Sequence, residues 1–104
     1  MKDSKQVVKE YALRSISDDY ENLETIFADV TDWSAHSGSQ PDRESVVAAV
    51  QELVQGGYAQ AYRFDPPFKE AIPTEYSTEL VDELWFYVTS EGKRLACALK
   101  EHWR

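Results

Sequence analysis

The chain has 104 residues, 42% hydrophobic and 12% aromatic, with 19 acids against 11 Lys and Arg, a formal net charge of −8. That length holds one compact domain with a small core, and the apolar content is too high for a disordered acidic tail. The acidity argues against a polyanionic partner, and the single cysteine, Cys97, excludes an internal disulfide.

Charge is unevenly spread: residues 18–33 carry six acids and no base, whereas both ends are mildly basic. The opening residues, MKDSKQVVKEYALRS, mix charges and lack the apolar stretch of a signal peptide. No run approaches the ~20 apolar residues that span a bilayer. A cytoplasmic protein without membrane contact is expected.

In chain order, Val7, Val8, Tyr11 and Leu13 give the segment from about Ser4 to Ser15 a helical stripe, with Lys5, Lys9, Glu10 and Arg14 on its wet side. Ser17 or Asp18 is expected to cap a second helix running to about Thr31, because a short oxygen-bearing side chain accepts from first-turn amides. Tyr20, Leu23, Ile26, Phe27 and Val30 share its apolar face. Trp33 to Pro41 reads as a loop with at most one helical turn. A third helix starts at Gln40 or Asp42, with Pro41 suited to its first position, and buries Val46, Val50, Leu53 and Val54. Gly56-Gly57 stops it, since glycine readily takes the left-handed conformation.

Tyr58 to Phe64 alternates as a half-buried strand, Tyr58, Gln60, Tyr62 and Phe64 on one face and Ala59, Ala61 and Arg63 on the other. Asp65 to Glu83, with Pro66, Pro67, Pro73 and many acids, reads as a long irregular loop with a short helical turn near Thr78 to Asp82. Leu84 to Val88 is apolar throughout, hence a second, well-covered strand. Thr89 or Ser90 caps a last helix to about Trp103, striped by Leu95, Ala96, Leu99 and Trp103. Cys97 falls in its apolar stretch and is expected to be buried. Two strands alone are marginal, so a hairpin laid on a helical bundle is expected.

Two junctions carry a resemblance. Leu53-Val54-Gln55-Gly56-Gly57-Tyr58-Ala59 looks like a recognition helix entering a wing strand. Phe86-Tyr87-Val88-Thr89-Ser90-Glu91-Gly92-Lys93-Arg94-Leu95 looks like the second wing strand running into a helix, with Thr as cap and Gly allowing close packing of the first turn. Together they resemble the winged helix-turn-helix superfamily, particularly MarR- and PadR-type regulators. The resemblance implies an α+β winged-helix domain: a three-helix core and a two-stranded wing, flanked by N- and C-terminal helices. Residues 1–104 then form one domain, with 1–16 an N-terminal helical extension and 90–104 the C-terminal helix. It also implies either DNA binding or dimerisation through terminal helices.

DNA binding rests on Lys and Arg neutralising phosphates. The contacts available to it would be Arg43, Ser45, Arg63 and Lys69, set among Asp42, Glu44 and an acidic wing loop. The basic residues of the two ends would add to them only if they met on one face. His36 and His102 stand alone, and no nucleophile elbow, metal-ligand spacing or phosphate-cradling glycine loop is present, so no enzyme, cofactor or metal is expected. The leading expectation is a non-enzymatic module acting through protein contacts, including self-association, with Phe68, Tyr76 and Trp103 as contact candidates. A DNA-binding transcriptional regulator is the alternative.

Overall fold

Residues 4–36, 38, 40–65 and 70–100 are described by the computed structural model. Their elements follow in the order α1 (Ser4–Ser15), β1 (Glu21–Asn22), α2 (Leu23–Ala35), α3 (Arg43–Gln55), β2 (Ala59–Asp65), β3 (Glu70–Thr74), a 3-10 helix (Thr78–Glu83), β4 (Trp85–Val88) and α4 (Ser90–Lys100). The four strands form one antiparallel sheet in the order β1-β4-β2-β3. This is an α+β architecture with the helices on one side of the sheet.

α1 carries Val8 and Ala12 at four-residue spacing, with Leu13 beside them and Ile16 just past its end, all buried. It is part of the core. It ends where the Ser17 hydroxyl turns back and donates to the Leu13 carbonyl at 2.7 Å, so Ser17 caps no following helix. The second helix starts later than its stripe implies, because Glu21 and Asn22 are extended and pair with Phe86 and Trp85 of β4. Asn22 is the N-cap, its side-chain oxygen accepting from the Thr25 amide at 2.9 Å. α2 then continues through Trp33 to Ala35, a stretch whose composition reads as loop. Trp33 holds the extra turn by packing at 5.8 Å on Tyr11 and beneath the Arg14 guanidinium, 4.2 Å from its ring centroid.

Asp42 caps α3, accepting from the Ser45 amide at 2.8 Å, which leaves Pro41 just outside the helix. Val46, Ala49, Val50 and Leu53 are its buried face. Gly56 closes the helix and Gly57 follows at φ 81°, the conformation the Gly-Gly pair predicts.

β2 pairs with β4 from Ala59↔Val88 to Tyr62↔Trp85 and with β3 from Ala61↔Thr74 to Asp65↔Glu70. The hairpin of β2 and β3 thus runs past the end of β4. β3 lies in the segment that reads as irregular, where Pro73 and the acids mask it; Pro73 sits on the outermost strand, as strand prolines do. The 3-10 helix buries Val81 and, with Leu84, returns the chain into the gap between β1 and β2.

Thr89 joins β4 to α4. Its hydroxyl donates to the Gly57 carbonyl at 2.6 Å and accepts from the Gly92 amide at 3.1 Å, and its amide donates to the Tyr58 carbonyl at 3.0 Å. The Thr-x-x-Gly step therefore caps α4 and seats it on the start of β2. Of α4, Gly92 and Ala96 face inward with Leu95 and Leu99 half-buried, so Cys97 falls about 100° round the helix and is exposed, contrary to its apolar surroundings in sequence.

Candidate functional site

Residue parity along the strands settles which face of the sheet is which. Ala59 and Ala61 of β2 and Phe86 and Val88 of β4 are buried against the helices. Gln60, Tyr62 and Phe64, with Trp85 and Tyr87, point the other way and are half-buried. The alternation in β2 groups its residues correctly, but the small face is the inner one and the aromatic face the outer one. Gln60 was the signal: an amide sharing a face with Tyr62 and Phe64 marks that face as wet. It donates from Nε2 to the Ala61 and Thr74 carbonyls, both at 2.9 Å.

Tyr20, which helical spacing places on a helix stripe, instead leads into β1 and lays its ring over this outer face. It stacks on Tyr87 at 4.8 Å and 29°, and meets Tyr62 at 5.0 Å and Phe64 at 5.6 Å edge to face. Phe64 in turn meets Trp85 edge to face at 5.1 Å. Such offset and T-shaped contacts let the positive ring edge meet a negative ring face. The result is one connected aromatic layer, built from three separate segments of chain, on the side of the sheet opposite the one the described helices pack against. The Lys93 ammonium reaches it from α4, 5.7 Å from the Tyr87 centroid. Burial pushes the Tyr62 hydroxyl above the usual phenol range, and the nearby Tyr20 and Tyr87 hydroxyls add to the shift.

Glu21, next in sequence to Tyr20, pairs with Phe86 and so shares the inner, helix-side face rather than the aromatic one. Desolvation raises the Glu21 carboxyl above its ordinary value, and repulsion from Asp29 and Asp19 raises it further. Asp29 accepts from the Ser15 hydroxyl at 2.7 Å, tying α2 to α1. Asp18 and Asp19 are exposed, the latter accepting from the Tyr20 amide at 2.8 Å.

The residues singled out for nucleic-acid contact are differently engaged. Arg43 and Ser45 share the exposed first turn of α3, but Arg43 donates to Asp82 at 2.5 Å. Arg63 is exposed on β2, opposite Ile72. Lys69 lies outside the described residues. The described basic residues of the terminal helices are differently engaged: Lys5 lines a cleft with the start of α3, Lys9 lines another with Leu95 and Leu99, Arg14 covers Trp33, Lys93 faces Tyr87 and Arg94 pairs with Glu91 at 2.8 Å. Of the contact candidates, Phe68 and Trp103 also lie outside the described residues. Tyr76 folds back onto the core, its ring 6.2 Å from that of Phe86. Its hydroxyl is buried with no hydrogen-bond partner among the described residues. His36 is exposed at the end of α2. Among the described residues no helix is long and apolar enough to cross a membrane.

No family model, curated protein or solved structure matches the chain.

Proposed function

We propose that this chain is a winged-helix α+β domain that acts without catalysis, through protein contacts made by the outer face of its sheet. The observation that carries the reading is the layer of Tyr20, Tyr62, Phe64, Trp85 and Tyr87 on the face opposite the one the described helices pack against. Large amphipathic rings bury much area at little entropic cost and are enriched where proteins touch. The winged-helix part is supported by the element order, with a final strand that inserts between a short first strand and the strand after the third helix.

The sheet edges favour an approach onto the face. β1 has two residues and passes directly into α2, while β3 carries Pro73, which lacks an amide to donate to an added strand. The alternative, a DNA-binding regulator, draws support from the exposed first turn of α3. Charge weighs against it: Asp42 and Glu44 flank Arg43, which is already paired with Asp82. Few cations would remain to release counterions from a duplex.

Retention on random-sequence duplex DNA at low salt tests the choice. No retention is expected, and Arg43→Glu with Arg63→Glu should change nothing. Micromolar retention that weakens steeply with salt, and is lost in that double variant, would replace the contact reading with the regulator.

A further inference from the structure

Residues 75–84 carry the chain from the outermost strand back to the middle of the sheet. Strand pairs fix both ends of this crossing, Ala61↔Thr74 before it and Tyr62↔Trp85 after it. Between them the 3-10 helix packs on α2 and α3 and buries Val81, with Leu84 buried just beyond it. Those two side chains are the buried aliphatic anchors of the segment.

The rest of the segment is loosely held. No side-chain bond caps the 3-10 helix at Ser77. The amides of Leu80 and Leu84 bond to the Ser77 and Val81 carbonyls, at 3.2 and 3.4 Å, and so tie the segment to itself rather than to its neighbours. Bonds of this 3-10 kind have poorer geometry than those of an α-helix. Leu80 is half exposed. Among the described residues, the side-chain tie to the helices is Arg43–Asp82, with both partners largely in water, where such a pair holds weakly. Tyr76, near the start of the segment, buries a hydroxyl with no hydrogen-bond partner among the described residues. Closure leaves that group dry, and lifting the segment returns water to it.

We propose that Glu75 to Leu84 is a strap that opens as a unit from α2 and α3 while the sheet and the helices stay folded, with Arg43–Asp82 as its latch. A contiguous segment with few buried side chains and self-contained backbone bonds opens below the free energy of global unfolding. The paired strands on either side set the limits of the movement. Opening withdraws Val81 and Leu84 and uncovers the parts of α2 and α3 beneath them. This device goes beyond the protein-contact reading and is independent of what the outer sheet face touches.

Native-state hydrogen exchange of the whole chain in sub-denaturing urea tests the strap. The amides of Leu80 and Leu84 should exchange through one common opening, at least about tenfold more populated than the one that frees Val50 and Leu53 of α3. Its urea dependence should be shallower, because little surface is uncovered. Exchange of all four amides at one level with one steep urea dependence, or unrelated protection at Leu80 and Leu84, would overturn the proposal. A thiol at the buried anchor gives a second readout. Val81→Cys with Cys97→Ser should react with a thiol reagent in the folded protein faster than Leu53→Cys with Cys97→Ser, and equal rates would again overturn it. Added salt should raise exchange at Leu80 and Leu84 in the wild type relative to Asp82→Asn, by up to about fivefold. Equal salt responses in the two proteins would remove Asp82 as the latch.

Discussion

The Cα of Gly92 lies against the carbonyl oxygen of Tyr58, so that a Cβ at position 92 would overlap that oxygen and Cγ2 of Val88. The oxygen is not at liberty to move, because it accepts from the Thr89 amide at 3.0 Å. Alanine gains up to about 1 kcal/mol over glycine in a helix interior. Overpacking a rigid contact costs about 1–3 kcal/mol. The clash wins, and Gly92→Ala should destabilise the domain by about 2 kcal/mol, read as a drop of roughly 10 °C in Tm. A variant as stable as the parent would mean that α4 docks less closely than this.

At the other end of the sheet, Asn22 belongs to β1 and also caps α2 through its bond from the Thr25 amide. Asn22→Ala should cost about 1 kcal/mol in denaturant unfolding, and Asn22→Ser should recover most of it. Equal losses in both variants would assign the residue's importance to strand pairing.

Glu21 gives a pH dependence with a definite sign. Its carboxyl is raised by desolvation first and by Asp29 and Asp19 after that. A group whose folded pKa lies above its unfolded value contributes stability below the ordinary 4.5, and loses it as pH rises through the folded value. Wild type therefore carries an unfavourable ionised Glu21 at neutral pH. Glu21→Gln should be the more stable protein at pH 7, with the difference closing as pH falls toward the ordinary glutamate range. A difference that widens on acidification would contradict the assignment.

Tyr76 buries a hydroxyl without a hydrogen-bond partner among the described residues. Removing such a group relieves a desolvation cost of about 1–3 kcal/mol. Tyr76→Phe should be neutral or stabilising by up to about 1 kcal/mol, while Tyr76→Ala, which also removes the ring packed near Phe86, should destabilise. Loss of stability in the phenylalanine variant would reveal a partner for the hydroxyl.

The Arg43–Asp82 pair joins α3 to the 3-10 helix with both side chains largely in water, 49% and 72% exposed. A double-mutant cycle with Arg43→Ala and Asp82→Ala should yield a coupling below about 1 kcal/mol that falls with added salt. A larger, salt-resistant coupling would make this pair a structural clamp.

What the sequence reveals and what it hides separates along the range of the interactions involved. α1, α3, the Gly56-Gly57 stop and the Thr89–Gly92 cap are set by residues within a turn or two of one another, so spacing and capping chemistry find them. Glu21 and Asn22 are a strand only because Phe86 and Trp85 lie beside them, a pairing no local pattern announces. β3 carries a proline and acids that argue against a strand, and it forms because β2 offers it a partner. The aromatic face is half legible. Alternation groups Tyr62 with Phe64, but hydrophobicity alone assigns them to the core, and it is Gln60 beside them and the small Ala59 and Ala61 opposite that indicate the helices need the other side.

Trp33 and Trp85 end up in separate layers, one beneath the Arg14 guanidinium among the helices and the other at the edge of the Phe64 ring beyond the sheet. Their indoles give the molecule two intrinsic optical channels. With Trp103 and either of them changed to phenylalanine, the remaining emission follows a single layer through unfolding or titration, so disturbance of the helical half and occupation of the aromatic half are separable by fluorescence without an added label.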